Sequence, residues 1–244
     1  MNEPRRALVT GASGSIGAAV ARELSGDGVL VAACASTPDR ARQAAAELPG
    51  AEPYFADLSR PEEVARLLAE VTAGRPVDML VCCAGWERVE PFFHTEPTTW
   101  DRLLAVNLRA VIQLSHGLLP AMTERGWGRL VCIASDAGRI GSPGEAVYAA
   151  AKAGVIGFCK TLGQELGRWG VTCNAVSPGP TNTRLLKEFQ NEQPGRAARL
   201  RRRIPAGRFG EPEDVAALVG FLCSDRAGYL NAQVISVNGG LHSP

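Results

Sequence analysis

Arg6-Ala7-Leu8-Val9-Thr10-Gly11-Ala12-Ser13-Gly14-Ser15-Ile16-Gly17 joins a short apolar strand, a turn of small residues and the start of a helix. Glycines in such a turn let backbone approach a bound pyrophosphate closely. The helix N-terminus behind them offers unpaired N–H groups and a partial positive charge. Gly11, Ser13, Ser15, Ile16 and Gly17 are therefore candidate phosphate-cradling residues. A plain turn of small residues would look much the same, so the weight of the motif comes from its setting.

Outward from this stretch, short apolar runs alternate with longer helical patterns. Strands are expected at 6–10, 29–34, 53–56, 79–82, 130–134, 171–176 and 234–237. Helices are expected at 16–24, 39–48, 61–71, 100–123, 147–168 and 213–223. The strands lack strict polar alternation, which suits parallel strands covered on both faces. Repeated strand–helix–strand units imply an α/β fold: a single doubly wound (Rossmann) domain over 1–244 with a mostly parallel seven-stranded sheet. Ligands of such sheets bind at the carboxyl ends of the strands. The least regular part, 178–210, carries Pro, Gly and five arginines, and reads as a substrate-binding or lid segment.

The 244 residues are 45% apolar and 21% charged with a formal net charge of +1. That balance gives no sign of nucleic acid or an anionic membrane as partner. Residues 1–6 run directly into the first strand without a signal-peptide pattern, and no unbroken apolar run reaches membrane-spanning length, so a cytoplasmic protein is expected. Seven cysteines without C-x-x-C spacing read as reduced, mostly buried thiols. His94, His116 and His242 are scattered, so no metal site is expected.

The end of the second strand reads the adenosine ribose in such folds, where an acid selects NAD(H). Here Ala35, Ser36 and Thr37 occupy that position and Arg40 follows. Room for a 2′-phosphate and a nearby cation favour NADP(H), with NAD(H) as the alternative. Ser36 and Thr37 would also serve as caps of the next helix.

Tyr148-Ala149-Ala150-Ala151-Lys152 places a phenol and an ammonium on one helix face. Ser135 stands thirteen residues before Tyr148 at the end of the fifth strand, and Asn107 lies in the long helix before it. With the turn at 10–17, these residues resemble the short-chain dehydrogenase/reductase family. The resemblance spans Arg6 to Leu241 and implies a catalytic set of Asn107, Ser135, Tyr148 and Lys152. Tyrosine ordinarily titrates near ~10. The Lys152 ammonium and an oxidised nicotinamide are expected to lower it, making Tyr148 the acid/base. Ser135 would hold the substrate oxygen, Lys152 the nicotinamide ribose, and Asn107 a water leading from Lys152 to solvent. Further cofactor contacts are implied at Asp57, Ala84, Gly85, Pro178, Gly179, Thr181 and Thr183. Asp57 would equally serve a helix start, and Thr181 and Thr183 would equally cap one. Two departures stand out: Ser15 replaces the middle glycine of the turn, and Cys82-Cys83 replace a pair of asparagines. Thiols cannot make the amide hydrogen bonds of asparagine, an effect on strand anchoring rather than chemistry.

Within that family, 144–160 resembles 3-oxoacyl-thioester reductases, while 133–147 and 172–183 resemble dehydrogenases of cyclic hydroxyacyl-CoA. The leading reading is NADPH-dependent reduction of a β-keto thioester or polyketide-like ketone to a secondary alcohol. The alternatives are NAD-dependent oxidation of a cyclic or β-hydroxyacyl-CoA, and a cofactor-binding sensor or scaffold without turnover. Trp86, Asp136, Arg139, Glu145 and Val147 are candidate substrate-lining residues. Arg196, Arg199, Arg201, Arg202 and Arg203 would meet the phosphates of a coenzyme A or carrier-protein arm, or form a solvated face. Arg125, Arg129 and Arg168 are a second candidate basic approach. The resemblance also implies a homotetramer paired through the helices at 100–123 and 147–168.

Overall fold

The computed structural model describes residues 3–243; residues 1, 2 and 244, on which the expected domain 1–244 and the reading of residues 1–6 partly fall, lie outside the described residues. One sheet of seven parallel strands runs through it: β1 (Arg6–Thr10), β2 (Leu30–Ala35), β3 (Glu52–Phe55), β4 (Met79–Cys82), β5 (Gly128–Ile133), β6 (Val171–Pro178) and β7 (Val234–Val237). The spatial order is β3-β2-β1-β4-β5-β6-β7. The chain reverses direction across the sheet between β1 and β4, where a crevice opens at the strand ends. The helices are α1 (Ser15–Gly26), α2 (Pro38–Ala46), α3 (Pro61–Thr72), α4 (Pro97–Leu104), α5 (Ala110–Glu124), α6 (Ala137–Ile140), α7 (Ala146–Leu166), α8 (Arg184–Glu192), α9 (Pro194–Arg203) and α10 (Pro212–Cys223).

Successive side chains of a strand face opposite sides of the sheet. Leu8, Leu80, Leu130 and Cys132 therefore enter one core with Val64 and Leu67 of α3, Leu114 and Leu118 of α5, and Val155 of α7. Ala7, Val9, Met79, Val81 and Val131 enter the other with Val20 and Leu24 of α1 and Val215, Val219 and Leu222 of α10. Burial on both faces is why these strands read as unbroken apolar runs. The cysteines are unpaired, and all but the half-buried Cys83 are buried.

Two elements differ from expectation. The run expected as one helix at 100–123 is α4 and α5 joined by a π-turn at Ala105–Arg109. By length and composition, Pro97–Glu124 would suffice to cross a membrane, but half of its most apolar window is packed inside the molecule. The segment 178–210 is not irregular: it holds α8 and α9, separated at Gln193-Pro194. Thr183 caps α8 by accepting a hydrogen bond from the Leu186 N–H at 3.4 Å. Short length hid both helices from a periodicity reading, as did mixed charge in α8 and a run of arginines with a single leucine in α9.

At the foot of β1, Arg6 is 1% exposed. Its guanidinium pairs with Glu52 and donates at 2.7 Å to the carbonyls of Val71 and Arg75 and to the Tyr54 hydroxyl. Truncation strands two buried carbonyls. Arg6→Ala is expected to lower unfolding stability by about 3 kcal/mol, read from the urea midpoint at unchanged slope.

Candidate active site

The turn after β1 is held open by geometry that only glycine tolerates at two points. Gly11 has φ +68°, and a Cβ there would lie 2.8 Å from Ala84 Cα. A Cβ on Gly17 would collide with the Gly11 carbonyl oxygen and lie 2.7 Å from its carbon. Gly14 is the N-cap of α1 and supplies no side-chain cap, so the first N–H groups of α1 face the crevice without a side-chain partner. This cradle fits a dinucleotide pyrophosphate. Ser15 is the first helical residue of α1 and does not have a positive φ, so its Cβ is tolerated where a glycine was expected. Ser13 is exposed at the turn, and Ile16 packs beside the core that α1 covers.

Beside the cradle, Ala35 closes β2 and is buried. Thr37 caps α2, its hydroxyl accepting from the Arg40 N–H at 3.4 Å. Ser36 and Arg40 are exposed, and Arg40 has no ion pair among the described residues, because neighbouring Asp39 pairs with Arg42. Asp57, just past β3, accepts from Ser59 N–H at 2.9 Å and Ser59 Oγ–H at 2.7 Å, and these bonds hold its carboxyl below the usual range. One of its oxygens is thus used in the turn before α3. Past β4, the Ala84 N–H donates to the Thr10 hydroxyl at 3.2 Å. Thr10 thereby ties β1 to β4 where Cys82 and Cys83 cannot.

The four expected catalytic residues come from β5, α7 and the π-turn, and meet at the same end of the sheet. Ser135 follows β5, and its hydroxyl accepts from the Ala137 N–H at 3.1 Å. It lies beside the Tyr148 phenol and pulls the phenol's pKa down. Lys152, 4% exposed, donates to the Ile133 carbonyl at 2.8 Å and lies 5.6 Å from the Tyr148 ring centre. A Cβ on Gly85 would stand 3.7 Å from Lys152 Nζ and 3.1 Å from Asn107 Oδ1, so Gly85 keeps the floor of the crevice flat. Asn107 is fully buried in the π-turn, a distortion that often marks functional sites. Its amide donates to the carbonyls of Trp86 (2.7 Å) and Leu103 (2.9 Å), and its Oδ1 accepts from the Trp86 N–H at 3.3 Å. The side chain is therefore committed to holding the loop after β4, and a water at Asn107 must use its main chain.

Electrostatics depart from expectation at the phenol. Burial, then Glu87, then Glu145 push the Tyr148 pKa up, while Ser135 pulls it down. Lys152 is not the group that sets it. Burial instead lowers Lys152 itself to about 8. Glu87, raised to about 8 by burial and by its hydrogen bond to Glu145, was missed in the sequence. Its only signal was an acid two residues past Gly85 at a strand end.

The candidate substrate residues separate into two groups. Trp86, Glu145 and Val147 are half-buried around the mouth, Trp86 with the Arg102 guanidinium 4.5 Å from its ring centre. Asp136 and Arg139 serve β7 instead. The Asp136 carboxylate accepts from Ser236 Oγ (2.7 Å) and Asn238 Nδ2 (2.6 Å), and Arg139 donates to Ser236 Oγ at 2.7 Å. Pro178 ends β6, and Gly179 donates to the Val237 carbonyl at 3.0 Å. Thr181 donates to the Gly179 carbonyl at 3.0 Å, while Thr183 is spent partly on capping α8. All five arginines from Arg196 to Arg203 are exposed, without an ion pair among the described residues. The second basic approach does not form: Arg129 is buried under Trp127, and Arg125 pairs with Asp78 at 3.3 Å.

A phosphate cradle at the switch point of a parallel sheet, with a Ser–Tyr–Lys set facing it, defines a nicotinamide-dependent oxidoreductase. Residues 11–242 match the family model described as enoyl-(acyl carrier protein) reductase. The acetoacetyl-CoA reductase of Shinella zoogloeoides is 39% identical, over 97% of this chain and 98% of that one. The (3R)-3-hydroxyacyl-CoA dehydrogenase of Mus musculus is 37% identical, over 96% of this chain and 95% of that one. A crystal structure of an actinorhodin polyketide ketoreductase variant with NADPH superposes with a TM-score of 0.92 at 35% identity, covering 98% of this chain and 97% of that one. The chain belongs to the short-chain dehydrogenase/reductase family and is an oxidoreductase.

Proposed function

We propose that this enzyme reduces the ketone of a 3-oxoacyl thioester to the 3-hydroxyacyl thioester with NADPH. The observation that carries the reading is the Ser135–Tyr148–Lys152 set beside a cradle whose ribose-reading position holds Ala35 rather than an acid. Bound NADPH supplies the hydride. Ser135 holds the carbonyl oxygen by a hydrogen bond. Tyr148 delivers the proton to that oxygen, and Lys152 holds the nicotinamide ribose and replaces the proton from the buried side. A phenol whose pKa the surroundings raise starts protonated, as reduction requires. The reverse oxidation of a hydroxyacyl-CoA is the second reading, favoured by the likeness to the mouse dehydrogenase.

Ala35 and Arg40, which has no ion pair among the described residues, support NADP(H), as does the NADPH of the ketoreductase neighbour. A coenzyme A arm is supported by the relatives named for CoA substrates and by the five exposed arginines around α9. We further propose a homotetramer, supported by the exposed apolar residues Leu104 and Ile112 of α4 and α5, and a cytoplasmic setting without nucleic-acid or membrane partners, supported by seven unpaired cysteines and the near-neutral charge.

The test is reduction of 3-oxobutanoyl-CoA with NADPH and with NADH, in wild type and Ala35→Asp. Wild type is expected to prefer NADPH. The new carboxylate, meeting a 2′-phosphate, is expected to cut that preference by about 100-fold. Preference for NADH in the wild type would move hydroxyacyl-CoA oxidation to the front.

A further inference from the structure

Glu87 and Glu145 are brought together by two loops that the fold clamps. The Glu90 N–H donates to the Gly144 carbonyl at 2.9 Å, and the position of a Gly144 Cβ lies 3.1 Å from Val89 Cγ1. The loop after β4 thus lies against the turn that opens α7. Glu145 is the N-cap of α7, three residues before Tyr148, and Glu87 follows the Trp86 that Asn107 holds in place. The two carboxyls share a hydrogen bond, and both act electrostatically on the Tyr148 phenol. Two acids therefore act on the phenol that must reach the reacting carbonyl.

Four cations of the described residues near that mouth each contact another group. Lys152 donates to Ile133, Arg102 lies over the Trp86 ring, Arg88 pairs with Glu90 at 3.2 Å, and Arg139 is bound to Ser236. A substrate carboxylate next to the reacting ketone would meet this acid pair, with no cation presented to it by the loop that carries Glu87, where Arg88 is paired with Glu90.

We infer that Glu87 and Glu145 are specificity-determining residues that admit 3-oxo esters and thioesters and reject the free 3-oxo acid. An ester or thioester is neutral beside the ketone, whereas the free acid carries a charge there. The carboxyl pair, sharing one proton between two oxygens, also accepts a hydrogen bond from a hydroxyl on the acyl chain. This selectivity rests on the ketone-reductase reading.

The experiment measures kcat/KM with NADPH for methyl 3-oxobutanoate and for 3-oxobutanoate, which differ by one charge, with 3-oxobutanoyl-CoA assayed alongside. Wild type is expected to favour the ester over the acid by about 100-fold, the size of one like-charge contact at intermediate dielectric. The double substitution Glu87→Gln with Glu145→Gln, which removes the pair's one negative charge, is expected to shrink that ratio about tenfold, chiefly by raising the rate on the acid. Each ratio is internal to one preparation, and the wild-type ratio stands even where a variant folds poorly. A wild-type ratio near one, or a ratio unchanged in the double variant, overturns the selectivity while turnover of 3-oxobutanoyl-CoA upholds the reductase reading. No turnover of any of the three ketones overturns the reductase reading and the selectivity with it.

Discussion

Tyr148→Phe is expected to lower kcat for ketone reduction by about 1,000-fold, within the range of a positioned general acid. The ring keeps its place on α7 and its packing beside Lys152, so NADPH should titrate with wild-type affinity. Only the hydroxyl beside Ser135 is lost. Stopped-flow single turnover at saturating NADPH checks this directly, because it isolates the chemical step from product release. Turnover equal to wild type would remove Tyr148 as the proton donor and leave Ser135 or a water in that role.

Gly17→Ala is expected to weaken NADPH binding at least about 100-fold, since a strained overpacked contact of about 3 kcal/mol falls on the cradle itself. The added methyl would overlap the carbonyl of Gly11. Relief requires moving the Gly11 peptide, yet Gly11 is pinned at φ +68° against Ala84. The turn therefore opens and the N–H groups of α1 lose their aim. Gly14→Ala is the control: its φ is −87° and its Cβ would lie 3.2 Å from Gly11 O, a contact that a few tenths of an ångström relieves. Fluorescence titration of both variants with NADPH checks the contrast, and equal affinities would show that the cradle does not depend on that contact.

The parallel sheet, its cradle and the Tyr148–Lys152 face were legible because each is written in local spacing. Runs buried on both faces mark strands, a glycine turn between strand and helix marks the cradle, and residues four apart share a helix face. The departures at Ser15 and at Cys82-Cys83 were legible as departures, but the local structure that accommodates them was not. Ser15 proves to be helical, and Thr10 makes the strand tie that the thiols cannot.

What the linear order left open depends on contacts between distant segments. Asp136 read as a substrate residue because it stands next to Ser135, yet its partners Ser236 and Asn238 lie a hundred residues on, across β6. Arg129 read as a surface cation until β5 carried it under Trp127. The π-turn at Asn107 cannot be told from α-helix by apolar period. Glu87 and Glu145, 58 positions apart in the chain, became a pair only when the loops after β4 and before α7 closed on each other. Local spacing thus determined the fold class, the phosphate turn and the phenol–ammonium face, because short-range sterics and periodicity act within a few residues. Tertiary structure alone decided which polar groups remain free for substrate, because a side chain's partners, burial and field are set by whatever the fold packs against it.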